Sequence, residues 1–238
     1  MPKFTPLNPE NPLGVAFFSR PAAVVAKALL GCIICRRFEA ADGSIAFIRA
    51  VIVETEAYTG PQDQASHARN SLRTARNEPM WMQPGTAYVY FTYGMHYCLN
   101  VSCLRAGHPA AVLLRAARVI EGHSLVRAAR AIGRSTNSKA SSKRLADVAL
   151  LRGPACLCKG LGVDGAWSGS DLLAAGGGLW LEPGQTPRSA DIKKGPRVGL
   201  GKAAADKKPG NTDWIREPLR FWINDEACVS GPLGRHQV

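Results

Sequence analysis

Short apolar runs alternate with polar turns along this chain, and the runs change period as they go. Ser19-Arg20-Pro21 opens a predicted helix, with Ser19 as a cap and Pro21 suited to a first turn. Ala22–Leu30 continues the helix and Gly31 stops it. Cys32–Phe38 reads as a strand, Asp42-Gly43 as a hairpin turn, and Ile45–Tyr58 as the returning strand. A long loop, Thr59–Gly85, follows, and loops of that length in a domain usually carry function or lack order. The aromatic run Thr86–Tyr93 reads as a strand, Gly94 permits a sharp turn, and Tyr97–Cys103 returns. Pro109–Arg115 reads as a short apolar strand ending in a lone arginine.

The second half is more helical at first. His123–Ile132 places Leu125, Ala128, Ala129 and Ile132 on one face, and Gly133–Arg144 reads as a basic, Ser-rich connector. Helices are predicted at Leu145–Leu151 and from Pro154 to Gly162. Short strands are predicted at Leu179–Glu182, Val198–Leu200 and Leu219–Ile223. Residues 1–16 form an irregular Pro- and Asn-rich arm, leaving 17–238 as one domain without an internal repeat. Strands joined mostly by hairpins, with helices in blocks, predict an α+β fold on an antiparallel sheet.

One stretch of this pattern carries unusual chemistry: VIVETEAYTGPQDQASHAR, Val51 to Arg69. A period of two puts Glu54, Glu56 and Tyr58 on one face of a strand, with His67 close behind. Carboxylates beside a core need a partner or a task. Paired glutamates could divide acid and base roles, and Arg115 could keep one of them ionised as a water activator. The bland alternative is a solvent-facing pair at a strand end. A second cluster is aromatic: Tyr58, Tyr88, Tyr90, Tyr93, His96 and Tyr97. Flat rings among basic residues suit unstacked bases. Tyr93 has the opposite parity to Tyr88 and Tyr90 and precedes Gly94 at a hairpin tip, where a ring can act as a wedge.

Composition narrows the partner. The 238 residues suffice for one sizeable core, and a net charge of +12 favours a polyanion. The apolar runs are too short or interrupted to span a membrane, and the N-terminus carries no apolar signal core. Seven cysteines with apolar neighbours suggest reduced, buried thiols, and no clustered ligand spacing supports a metal. A carboxylate activator, a flat-walled pocket, a wedge and a basic surface are the parts of an enzyme that flips a base out of a duplex.

VETEAYTGPQDQASHAR, MWMQPGTAYVYFTYGMHYCLNVS and AAVLLRA, with the closing RVGLG and PLRFWI, resemble segments of the alkyladenine (3-methyladenine) DNA glycosylases of the mammalian type. The likeness runs from about residue 17 to 225. It implies a single mixed domain with a curved antiparallel sheet, flanking helices and a protruding β-hairpin. It also implies a monofunctional glycosylase that starts base excision repair by hydrolysing the N-glycosidic bond of an alkylated or deaminated purine. Glu56 would be the general base and Arg115 would position the same water. Tyr58, His67 and Tyr90 would wall the base pocket, the His67 amide would meet the purine 6-position, and Asn100 would oppose a guanine amino group. Tyr93 would intercalate. Arg69, Arg73, Arg76 and His96 are candidate DNA-backbone contacts.

No cofactor and no metal is implied. The implied partner is double-stranded DNA containing damaged purines, bound by a monomer without a membrane. The expected compartment is the nucleoid-bearing cytoplasm in a bacterium or the nucleus in a eukaryote, without secretion. The chain departs from the family pattern at His96 and at Cys156, the latter standing where a lysine is expected, and Gly133–Arg144 and Asp206–Asp213 have no counterpart. A non-catalytic nucleic-acid-binding module using the same aromatic and basic surface is the main rival; a carboxylate facing phosphate argues against it. A carbohydrate hydrolase built on Glu54 and Glu56 fits less well, because both carboxylates would project from one side of the bond.

Overall fold

The computed structural model describes residues 12–39, 42–132, 145–200 and 212–231. Its elements are α1 (Val15–Phe18), α2 (Ala22–Ala28), β1 (Ile33–Glu39), β2 (Ile45–Tyr58), β3 (Ala87–Thr92), β4 (His96–Cys103) and β5 (Ala110–Glu121), then α3 (His123–Ala131), α4 (Pro154–Leu161), β6 (Leu179–Glu182), β7 (Ile192–Gly195) and β8 (Arg220–Ile223). All eight strands join one antiparallel sheet in the order β3-β4-β5-β2-β1-β6, while β8 pairs with β2 and with β7. The α+β expectation holds. The long strand β2 is the hub. β5 lies along one edge; along the other, β1 pairs with Ile45–Val51 and β8 takes over at Glu54–Glu56.

Alternation explains the layers. Ile48, Ala50 and Ile52 of β2, Leu99 and Val101 of β4, and Val112 and Leu114 of β5 face the helices, where Val25, Val126, Leu157 and Leu161 close the main core. The other face is covered by smaller apolar clusters and carries the charged residues.

Two bulges decide which residues reach that second face. The β2–β5 register steps from Ile52↔Ala117 to Glu54↔Ala116, then to Thr55↔Leu114. Val53 is thus the extra residue on β2 and Arg115 the extra residue on β5. Unbroken alternation would send Glu54 and Glu56 into the helix-covered core behind Ile52. Instead Val53 joins the cluster of Val51 and Cys228 on the far face, and Glu54 follows it there. Thr55 turns inward, donating its hydroxyl to the Ala26 carbonyl of α2 at 2.8 Å. Bulges that re-aim side chains beside functional sites are a recurrent device.

Several local expectations need correction. Ser19 does not cap α2; its hydroxyl donates back to the Val15 carbonyl at 3.0 Å and closes α1. β5 does not stop at Arg115 but runs to Glu121, because Ala117 and Val119 continue to bury against the helices. Leu145–Leu151 holds only a single turn, Asp147–Ala149, since the Leu151 carbonyl accepts from Ala117 and Arg152 bridges to Ala116, drawing the chain out along β5. Val198–Leu200 is not a strand: Gly199 sits at φ +76°, which interrupts an extended run. The sequence does not predict the short strand β7, because Ile-Lys-Lys-Gly shows no alternation. Gly133–Arg144, most of Asp206–Asp213 and the N-terminal arm up to residue 11 lie outside the described residues. All seven cysteines are free thiols, six of them buried. No helix of the described residues is long and apolar enough to cross a membrane.

Candidate active site

Glu56 stands three residues beyond the bulge at Val53 and is fully buried. Its Oε1 accepts from the Val198 amide at 2.7 Å and pairs with Arg115 at 3.0 Å, and its Oε2 accepts from the Tyr58 hydroxyl at 3.0 Å. Burial pushes the Glu56 pKa up; Arg115, the Val198 amide and the Tyr58 hydroxyl pull it back, and Glu54 adds to the rise. The Tyr58 hydroxyl is itself held far above its usual pKa, first by burial and then by the Glu56 charge, so it remains a donor. The solvent-facing alternative for the glutamate pair is thereby excluded, since Glu54 is buried as well.

Arg115, Tyr58 and Val198 all line a cavity of about 420 Å³, and Glu56 lies directly behind them. That volume falls within the ordinary range for small-molecule sites, roughly 300–1,000 Å³. The opposite wall is aromatic. His67 meets Tyr90 edge-on with centroids 4.6 Å apart, and Tyr90 lies 5.4 Å from Tyr88 at a 34° tilt. A 2.8 Å hydrogen bond joins His67 Nδ1 to the Tyr88 hydroxyl. Burial, followed by the charges of Arg76 and Arg69, pushes His67 down to about 4, so the ring is neutral near pH 7. Asn100 also lines the cavity, its Nδ2 donating to the Tyr88 carbonyl at 3.0 Å. Tyr58, His67, Tyr90, Asn100 and Arg115, which the family resemblance assigns to one site, all line this cavity.

The β3–β4 hairpin rises at the mouth. Met95 donates to the Thr92 carbonyl at 3.2 Å around Tyr93 (φ +51°) and Gly94 (φ +66°), the left-handed pair of a type I′ turn. Glycine takes that conformation freely; a tyrosine does so at a cost. Tyr93 is 79% exposed, with Phe91 and Met95 also bare beside it. The basic residues divide. Arg69 reaches the cavity rim and His96 is exposed at the start of β4. Arg76 donates to the Phe91 carbonyl at 3.0 Å and lies 5.2 Å from the Tyr90 centroid. Arg73 is committed to Glu78 through bonds of 2.8 and 2.5 Å.

Sequence reasoning missed the supports. Asp63 accepts two bonds from Arg197, at 2.6 and 2.9 Å, and both residues are buried. Arg197 also lies 4.7 Å from the Tyr58 centroid and immediately precedes Val198, so this pair fixes a pocket wall and the amide on Glu56 together. Asn77 clasps the long loop, donating to the carbonyls of His67 and Leu72 at 3.0 and 2.8 Å. Arg220 and Ser230 close the back of the site around Glu54. Arg197 and Arg220 stand in RVGLG and PLRFWI, and an isolated arginine has no local signature for burial.

The chain is similar to known proteins over most of its length. The methylpurine-DNA glycosylase (MPG) family model matches residues 16–227. The chain is 40% identical to the mouse DNA-3-methyladenine glycosylase over 95% of its length and 63% of the mouse protein. It is 40% identical to the human protein of that name over 92% of its length and 67% of the human one, so it spans about two thirds of these mammalian relatives. A Streptomyces avermitilis protein named as a candidate for the same activity is 40% identical over 93% of this chain and 92% of its own.

Proposed function

The chain belongs to the methylpurine-DNA glycosylase family, and from that premise we propose that it flips a damaged purine out of duplex DNA and hydrolyses its N-glycosidic bond. The observation that carries this reading is the buried Glu56, tied to Arg115 directly behind an aromatic cavity. The family name alone does not supply that arrangement, and a passive binding module has no use for it.

Among the described residues, Glu56 Oε1 accepts from the Val198 amide and stands in ion-pair contact with Arg115, and Oε2 accepts from the Tyr58 hydroxyl. An attacking water would give up its proton to a Glu56 carboxylate oxygen, and Arg115, the Val198 amide and the Tyr58 hydroxyl favour the charged form that takes it. The water oxygen bonds to the anomeric carbon as the carbon–nitrogen bond breaks, and the bond's electron pair leaves with the purine. Tyr58, His67 and Tyr90 would sandwich the extruded base. Neutral, electron-rich faces favour a cationic alkylated purine, and a neutral His67 adds no opposing charge. Asn100 would sit where the amino group of a normal guanine clashes. Tyr93 would fill the vacated stack, and the net charge of +12 suits the phosphate backbone.

Glu56→Gln tests the reading. In single-turnover assays on duplexes carrying hypoxanthine, ethenoadenine or methylated purines, wild type should release the base. The variant should bind equally well and excise roughly 10²–10⁴-fold more slowly. Full activity in the variant would remove Glu56 as the base, and a borohydride-trapped adduct would replace water with an amine nucleophile.

A further inference from the structure

The chemistry above uses Glu56 and Arg115 but leaves the charged groups behind them without a task. Glu54 is fully buried. Its Oε1 accepts from Arg115 Nε and Arg220 Nε, both at 2.7 Å, and its Oε2 accepts from the Ser230 amide at 2.6 Å. Arg220 reaches on to the Ser230 carbonyl at 2.6 Å. Arg115 is gripped on the same side a second time, by the Ser230 hydroxyl at 3.0 Å from Nη2. Only its Nη1 points the other way, to Glu56 at 3.0 Å.

A guanidinium is planar, so two anchors on one side fix the direction of the third nitrogen. Glu54 and Ser230 therefore aim Arg115 at Glu56. Stability alone does not call for this construction, because buried ion clusters are often replaceable by packed apolar residues without loss. The bulge at Arg115 and the bulge at Val53 are what bring Glu54, Glu56 and Arg115 to one face, and Ser230 arrives from the far end of the chain.

We propose that Glu54 is a positioning residue for the reaction: with Arg220 and the Ser230 backbone it clamps Arg115 so that Glu56 and the attacking water are held in one productive arrangement. The inference rests on the glycosylase reading.

Glu54→Gln keeps the size of the side chain, and its amide oxygen can still receive both arginines. Its NH2 group is then left facing the Ser230 amide, donor against donor, and the charge that orients Arg115 is gone. With the full chain and lesion-bearing duplexes, single-turnover excision should slow about 100-fold, the scale of a misplacement near 1 Å. The dissociation constant for the same duplex should be unchanged. Ser230→Ala removes only the hydroxyl on Arg115 and should slow excision about fivefold, the worth of one hydrogen bond; it decides the matter if the glutamine variant fails to fold. Wild-type excision rates in the variants overturn the clamp and leave the glycosylase reading intact. A parallel fall in affinity, rate and melting temperature marks a merely structural role and also overturns the clamp. No excision by wild type on any substrate overturns the glycosylase reading, and the clamp with it.

Discussion

Behind the pocket, Glu54, Glu56, Arg115 and Arg220 are each 6% exposed or less and each holds another. At its mouth, Tyr93 is 79% exposed, and its backbone sits in a region bulky residues avoid. The back is preorganised: desolvated charges act strongly on their neighbours and need no rearrangement when a reaction begins. The tip is the reverse, an apolar ring held in water at a conformational cost that the free protein never recovers. Such a feature makes physical sense when a partner covers it. The closed region has the preorganisation that a reaction needs, and the open one the bare ring that a partner would cover.

The sharpest way to break that contrast is Arg197→Ala. It leaves Asp63 buried without its partner and frees both Tyr58 and the Val198 amide. About 3–5 kcal/mol of stability should be lost in chemical denaturation, with excision lost as well. Retained stability would show that the back is not a single locked unit.

The tip should respond with the opposite sign. Tyr93→Asn creates Asn-Gly, the favoured type I′ pair, and should raise stability by about 1 kcal/mol. The same change should weaken binding to lesion-bearing duplexes about tenfold or more, the worth of one stacked ring. A tip variant that loses stability, or that keeps full lesion affinity, would dissolve the contrast.

The mildest test touches the boundary between the regions. Tyr58→Phe keeps the ring that lines the pocket but removes its bond to Glu56. That bond favours the carboxylate, so its loss raises the Glu56 pKa, and the active base is lost at a higher pH. The acid limb of the pH–rate profile should move up by about one unit, with binding unchanged. A limb that moves down or stays put would mean that the hydroxyl does not tune Glu56.

Much of the pocket was legible because its residues announce themselves locally. Tyr88 and Tyr90 alternate on one strand, Tyr93 precedes a turn glycine, and two glutamates on a strand stand out against an apolar run. The supports were not legible. Asp63 and Arg197 are 134 positions apart, and Glu54 and Ser230 are 176 apart, so no window of sequence contains either pair. The end of β5 was misplaced for a related reason: a charged residue within a strand reads as a terminus unless a distant carboxylate is known to receive it.

The sequence by itself determined the α+β class, the aromatic wall, the tyrosine at the hairpin tip and the positive charge, all of which follow from period, turn chemistry and composition. Tertiary structure decided where the carboxylates point. Strict alternation places Glu54 and Glu56 with Ile52 in the main core, and only the paired bulges at Val53 and Arg115 turn them to the far face. A bulge is a property of two strands in register, not of either strand alone. The arginines and backbone amides that hold these charges come from segments remote in the chain, brought together by the packing of the whole sheet.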